Sequence, residues 1–150
     1  MRTVIATFAL AVALLGPASP SLAQSASGTS AGSFDSALDM VRAQAGLRGL
    51  SPDRRLTSAA QRYAETMAAT GHVQHVGPDG STHVSRSQAA GCRGGYLAEN
   101  IAWGQRSAQA TFDGWMASSG HRANMLGPNY GVFGLGQSNG MWVIMFADRC

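Results

Sequence analysis

The stretch YGVFGLGQSNGMWVIMFA, residues 130–147, carries the clearest β-sheet signal in this 150-residue sequence and decides its fold class. Two apolar segments flank Asn139-Gly140, the residue pair that favours the tight turn of a β-hairpin. The second segment, MWVIMFA, is apolar without alternation, which is typical of a strand buried on both faces. The stretch therefore predicts a hairpin in a sheet that is covered on both sides.

Three amphipathic segments predict helices that can cover the sheet. The first follows Ser33 as N-cap, and its apolar positions are Phe34, Ala37, Leu38, Val41 and Ala45. The second has Ser51 as N-cap, Pro52 at the first helical position and Gly71 at its end. Its apolar stripe consists of Leu56, Ala59, Ala60, Tyr63, Ala64 and Met67. The third ends at Gly120 and carries Ala108, Phe112, Trp115 and Met116 on its apolar face.

The remaining segments complete the fold class. YLAENIAWG, residues 96–104, has the length of a strand, and residues 72–95 are mostly loop with a short helix around Val84 to Ala90. A sheet with helices on both sides follows from this order of elements. The sequence predicts an α+β fold, a three-layer α-β-α sandwich.

The N-terminal residues are typical of a secretory signal peptide. Arg2 precedes an apolar run that ends in the cleavage pattern Ser21-Leu22-Ala23. Pro17 and Pro20 keep this run shorter than the roughly 20 residues of a membrane-spanning helix, which argues against an anchor. We expect a signal peptide over residues 1–23, a flexible tether over 24–33 and one domain over 34–150, exported to the periplasm or the extracellular medium.

The charge and the cysteine content limit the class of function. The 11 basic residues are all Arg and oppose 8 acidic residues, without a basic run. This balance argues against a nucleic-acid partner. Cys92 and Cys150 are the cysteines of the chain, and in an exported protein they suggest one disulfide, although sequence alone does not show that they meet.

Glu99 is a charged residue that the sequence pattern predicts to be buried. It lies inside an apolar strand, where an ionised carboxylate is costly unless it is paired, and a His is a natural partner. His72 follows the Gly that ends a helix and His83 lies in a polar loop, so both are interpreted as surface residues. His75 and His121 remain as candidates.

Four motifs occur in the order found in the CAP superfamily, which takes in cysteine-rich secretory proteins, venom antigens, plant pathogenesis-related proteins and bacterial secreted relatives. They are HVQHVGPDG (72–80), LAENIAWG (97–104), WMASSGHRANML (115–126) and YGVFGLG…MWVIMFA (130–147). The sequence resembles this superfamily over about residues 34–147. The resemblance implies the same α-β-α sandwich.

The resemblance also implies a central cleft formed by His75, Glu99, Ser118 and His121. In several members the two His of the cleft bind a divalent metal, and here these are His75 and His121, with Zn²⁺ or another divalent cation as the expected cofactor. Eukaryotic members carry a second Glu three residues after the Trp of this motif, where this chain has Ser118. Asn100 and Trp115 are expected to be architectural, as is Tyr130.

Three functions remain open at this stage. The first is a secreted, monomeric binding protein for an extracellular ligand such as a lipid, a peptide or cell-wall material. The second is a metal-dependent hydrolase in which His75 and His121 hold the metal and Glu99 is the catalytic general base. The third is a structural extracellular module. The missing second carboxylate and the lack of an identifiable nucleophile favour binding over catalysis.

The fold implied by the resemblance also predicts whether the two cysteines pair. In this fold the last strand and the Glu99 strand belong to one sheet, which brings the chain end toward the loop before Glu99. We therefore predict a disulfide between Cys92 and Cys150.

The signal-peptide assignment predicts a defined N-terminus. Export should be followed by cleavage after Ala23, because small residues precede that bond and the apolar run is too short to remain as an anchor. N-terminal sequencing of the exported protein should then begin at Gln24. Recovery of a membrane-bound protein that retains Met1 would contradict the assignment.

Overall fold

The structure, a computed structural model, describes the backbone of residues 27–150 and the side chains from Ser33 onward. The predicted signal peptide and residues 24–26 of the predicted tether lie outside the described residues. The elements in chain order are α1 (Ser27–Gln44), β1 (Ser51–Pro52), α2 (Arg54–Thr70), α3 (His83–Ala89), β2 (Leu97–Trp103), α4 (Ala108–Ala117), α5 (Ser119–Met125), β3 (Val132–Ser138) and β4 (Met141–Ala147).

The predicted hairpin forms the centre of a four-stranded sheet with the order β1-β3-β4-β2. Ser138 pairs with Met141, so Asn139 and Gly140 form a two-residue turn in which both have positive φ, 45° and 77°. β2 pairs antiparallel with β4, and β1 pairs parallel with β3. The residues of β4 after Met141 are buried, which confirms the prediction from its unbroken apolar run.

Two hydrophobic cores cover the two faces of the sheet. One core lies against α1, α4 and α5 and includes Phe34, Trp115 and Phe146. The other lies against α2 and includes Tyr63 and Met145. α3 packs on the same side as α2, where it contacts both α2 and β2. The predicted three-layer α-β-α sandwich is confirmed.

β3 meets α2 through Gly134 and Gly136. A Cβ atom added to Gly134 would overlap the backbone of Leu56 and Thr57, and one added to Gly136 would overlap the backbone of α2 one turn later. Only Gly therefore lets the helix axis lie this close to the strand. The apolar stripe of α2 is buried as predicted, and the close approach fixes the helix that carries Tyr63.

The start of α2 differs from the prediction. Asp53 is the N-cap, and its carboxylate accepts hydrogen bonds from the backbone N–H of Arg55 and Leu56. Ser51 and Pro52 are not the cap and first turn but form β1, opposite Val132 and Phe133. The Asp carboxylate caps the helix while the two preceding residues extend the sheet at its edge, where Pro is tolerated.

The start of α1 also differs. It begins at Ser27, so residues 27–33 are helical rather than part of a tether, and Ser33 lies inside the helix instead of capping it. At its other end, Ala45 follows the last helical residue and is exposed. Phe34 and Leu38 are buried as predicted.

Two further helix boundaries require correction. The helix with Trp115 ends at Ala117 rather than at Gly120, because Ser118 adopts an extended backbone and a second helix, α5, starts at Ser119. Gly120 and His121 are therefore in the first turn of α5. His83 is the first residue of α3 rather than part of a polar loop.

The predicted disulfide between Cys92 and Cys150 is present. The two Cα atoms are 4.4 Å apart, and 58 positions separate the residues in sequence. The bond joins the segment after α3 to the residues after β4 and so fixes α3 to the sheet.

The close approach of α2 and β3 predicts the effect of a single added methyl group. Gly136→Ala should lower the free energy of unfolding by about 3 kcal/mol, the upper end of ordinary overpacking, because the obstructing atoms are backbone and cannot turn aside. Urea denaturation of the mature protein measures the change. Gly114→Ala is the matched control: this helical Gly has open space around it and should gain about 0.5–1 kcal/mol. Equal effects of the two substitutions would contradict this account of the interface.

Candidate functional site

The Glu99 carboxylate, on β2, lies at the centre of the predicted cleft. Its side chain is 1% exposed. Oε1 accepts a hydrogen bond from Nδ1 of His75 at 2.9 Å, and Oε2 accepts one from Nη2 of Arg86 at 2.7 Å. The structure thus provides the His partner expected for this buried acid and adds a cation. Both oxygens of Glu99 are engaged.

Arg86 of α3 was not among the residues predicted from sequence. Its guanidinium also donates to the carbonyl of His75 at 3.0 Å and to the carbonyl of Ser81 at 2.8 Å. The same group stacks on the ring of Tyr63, 3.4 Å from the centroid. The sequence could have indicated Arg86, because a buried carboxylate is stable only when it is paired with a cation. Arg86 lies on the short predicted helix that precedes Glu99.

The loop that carries His75 is held by its own backbone and by α2. The Tyr63 hydroxyl donates to the carbonyl of Gln74, and the N–H of Gly77 donates to the carbonyl of Ser81. Nε2 of His72 lies 3.0 Å from the carbonyl of Val76, so this side chain bonds locally and stays outside the cleft. The His75 side chain is 54% exposed, so solvent reaches the imidazole that Glu99 orients.

His121 reaches the site from the opposite layer. Asn100, the residue after Glu99, donates from Nδ2 to the carbonyl of His121 at 3.0 Å. Asn124 donates to Oδ1 of Asn100 at 2.8 Å. These bonds fix the first turn of α5 to β2, which agrees with the architectural role expected for Asn100.

The two imidazoles influence each other electrostatically. The pKa of His121 is lowered from its ordinary value of 6.5, first by burial and then by repulsion from His75. Since its pKa lies below 6.5, His121 is a neutral imidazole at pH 7.

The donor chemistry fits an open metal site rather than a closed one. Within residues 27–150, no three His, Cys, Asp or Glu side chains are grouped so that they could hold a metal ion. Glu99 is not available as a third ligand because His75 and Arg86 occupy its oxygens. His75 and His121 would be the protein ligands of an ion, and its other positions would be taken by water or by a bound ligand.

Ser118 lies at the junction of α4 and α5. It is the N-cap residue of α5, yet its side chain makes no capping hydrogen bond. Ser118 and His121 line a cavity of about 250 Å³ beside β2, together with the exposed Trp103. Trp115 closes the inner side of this region and donates from Nε1 to the carbonyl of Ile101 at 3.2 Å, as expected for an architectural residue.

The pairing of Arg86 with Glu99 predicts a large effect on stability. Arg86→Met should lower the free energy of unfolding by about 3–5 kcal/mol, because it leaves a buried carboxylate without its cation. Arg62→Met, which changes an exposed Arg of α2, is the control and should stay within about 0.5 kcal/mol. Combining Arg86→Met with Glu99→Gln should restore part of the loss. Additive losses in urea denaturation would show that the two side chains are not coupled.

Comparisons with known proteins agree with this architecture. Residues 36–141 match the cysteine-rich secretory protein family, CAP. The uncharacterized protein YkwD of Bacillus subtilis strain 168 is 30% identical over 110 residues, which are 72% of this chain and 43% of that protein. The chain therefore spans less than half the length of this relative.

Two solved structures share the fold. An extracellular protein from Bacillus anthracis that contains an SCP domain has 22% identity and a TM-score of 0.77 over 87% of this chain and 45% of its own. An outer surface protein from Borrelia burgdorferi has 18% identity and a TM-score of 0.75 over 83% of this chain and 96% of its own.

These two proteins are named for an extracellular or outer-surface location. Of the helices formed by residues 27–150, none is long and apolar enough to cross a membrane. The family match extends over most of the chain and includes the His75, Glu99 and His121 motifs. The protein belongs to the CAP family of cysteine-rich secretory proteins.

Proposed function

We propose that this protein is an extracellular binding protein whose cleft uses His75 and His121 to hold a ligand together with a divalent cation such as Zn²⁺. The observation that supports the proposal is the arrangement of Glu99. Both of its oxygens are bonded, one to His75 and one to Arg86, so the carboxylate orients an imidazole and is itself inaccessible.

The hydrogen bond from Nδ1 of His75 to Glu99 determines which ring nitrogen is free. With the proton on Nδ1, Nε2 of the neutral His75 ring keeps its lone pair, and the bond to Glu99 fixes the orientation of the ring. His121 is neutral at pH 7 and offers a second lone pair. A bound divalent cation would supply further coordination positions for oxygen or nitrogen atoms of a ligand.

The burial of Glu99 and the hydrogen bonds to both of its oxygens favour binding over hydrolysis. A general base needs an accessible lone pair within hydrogen-bonding reach of the attacking water. The Glu99 side chain is 1% exposed, and Arg86 and His75 occupy its two oxygens. The position of a second carboxylate in eukaryotic relatives is held by Ser118, which cannot replace Glu99 as a base.

A structural role for the same cluster is the second candidate, because Arg86 joins α3 and the 75–81 loop to β2 through four polar contacts. The two roles predict different behaviour of the His residues. A structural cluster requires Glu99 and Arg86 but tolerates the loss of either imidazole. A ligand site requires both imidazoles.

Zinc titration of the mature protein tests the proposed site. His75→Ala and His121→Ala should each abolish most of the affinity, whereas Glu99→Gln should weaken it by about 10- to 100-fold, because Glu99 acts through His75. Affinity should also fall as the pH is lowered below about 6.5, since protons compete for the imidazole lone pairs. Calorimetry at two pH values measures both effects.

His83→Ala is the matched control, because His83 lies at the start of α3 and makes no contact with Glu99. Its zinc affinity should equal that of the unsubstituted protein. If the His75 and His121 variants also bind zinc normally, the metal site is wrong. If instead both variants keep normal zinc affinity and thermal stability while Glu99→Gln loses thermal stability, the structural role is the correct one.

A further inference from the structure

A cavity of about 410 Å³ lies between α2 and α3. Ala59 of α2 and Ala89 of α3 line it, and their short side chains leave space between the two helices. Asp79 and Ser81 of the loop before α3 also belong to its wall. A volume of this size is typical of sites that hold a small molecule.

Arg62 contributes a positive charge to the wall of this cavity. It is an exposed residue of α2, and it takes part in none of the ion pairs that the described side chains form. Its Nη1 donates a hydrogen bond to the hydroxyl of Ser58. Because a guanidinium has five N–H donors, Arg62 can keep this bond and also donate to the carboxylate of a ligand.

Asp79 contributes a negative charge from the loop before α3. Its Oδ1 accepts a hydrogen bond from the N–H of Ser81 at 3.0 Å. Hydrogen bonds from the side chain and the backbone of Ser81 lower the pKa of Asp79 from its ordinary value of 3.8, so the carboxylate is ionised at pH 7. The side chain is exposed and forms no ion pair with another described residue, so it can accept hydrogen bonds from an ammonium group in the cavity.

Arg86 is the third charged residue of the wall, but its charge is already compensated. Its guanidinium pairs with the Glu99 carboxylate at 2.7 Å and lies on the ring of Tyr63. Arg62 and Asp79 are therefore the charges that a ligand can use. An anion would be attracted by Arg62 but repelled by Asp79, and a cation would meet the reverse. A molecule that carries both charges complements both residues.

We infer that this cavity is a binding site for a small zwitterionic molecule, such as a short peptide, whose carboxylate is bound by Arg62 and whose ammonium group is bound by Asp79. The alanine side chains of α2 and α3 contact the uncharged body of the molecule. Neither His75 nor His121 lines the cavity, so the site is separate from the proposed metal site and the inference goes beyond the proposed function.

Alanine peptides test the charge requirement in the metal-free mature protein. L-Alanine, Ala-Ala and Ala-Ala-Ala place the two charges at increasing separations. For each length, the N-acetylated form lacks the positive charge and the C-terminal amide lacks the negative charge. Dissociation constants come from NMR titrations that follow the backbone N–H resonances of residues 79–89. At the length that fits the cavity, the free zwitterion should bind about fivefold more tightly than either blocked form, as expected for one ion pair near the protein surface.

Two substitutions assign the two preferences to residues. Arg62→Gln removes the positive charge, so the preference for the zwitterion over the amide should disappear, while the preference over the N-acetylated form remains. Asp79→Asn should have the opposite pattern. The Asn side chain keeps an oxygen that can accept the N–H of Ser81, so the loop should retain its conformation.

Arg54→Gln and Asp113→Asn are the matched controls. Arg54 is an exposed residue of α2 and Asp113 is an exposed residue of α4, and neither lines the cavity. Each control removes the same charge as its counterpart from another place on the surface. Both controls should leave the dissociation constants unchanged.

Equal binding of the free and blocked forms at all three lengths would overturn the inference. A charge preference that Arg62→Gln and Asp79→Asn leave unaltered would overturn it as well. Zinc affinity should be unchanged in both variants, since neither residue belongs to the proposed metal site. Absence of zinc binding together with a preference for the zwitterion would reject the proposed function alone and support the zwitterion site.

Discussion

The buried carboxylate of Glu99 is the constraint on which the cleft depends. An ionised carboxylate inside an apolar strand is unfavourable unless other groups replace its water. Arg86 and His75 do so from α3 and from the preceding loop. Their positions follow from this requirement, because Arg86 can reach Glu99 only if α3 packs against β2 and Tyr63. The contacts that compensate the buried charge of Glu99 therefore also fix the orientation of the His75 imidazole.

The neighbouring residue on β2 connects the second layer to the site. Adjacent side chains on a strand point to opposite faces, so Glu99 faces the layer of α2 and α3 while Asn100 faces that of α5. Asn100 holds the carbonyl of His121, and Glu99 holds the imidazole of His75. Because β2 is an edge strand, imidazoles from both layers can meet beside it. Glu99 and Asn100 thus hold segments from both sides of the sheet against β2.

The sequence predicted the elements whose signals are local. Asn139-Gly140 between apolar segments and the stripe of α2 gave the hairpin and the main helix, and the CAP motifs gave His75, Glu99 and His121. Features that depend on tertiary contacts were missed or misplaced. Asp53 replaced Ser51 as a cap because the sheet edge recruits the two preceding residues. Arg86 has no local sequence pattern, because its position is explained by the carboxylate of Glu99, 13 residues later in the chain.

Ser118 explains why the two parts of the cleft have different chemistry. Its extended backbone ends α4 and starts α5, which turns His121 toward the cleft instead of continuing one long helix. A Glu at this position would add a negative charge to the cavity that Ser118 and His121 line. Serine does not. In the proposed metal site, a cation held by His75 and His121 would therefore have no third ligand from the described residues, and the lining of the adjoining cavity contains no Asp, Glu or Arg. Both consequences favour an organic ligand that spans the two parts over a metal enclosed by protein.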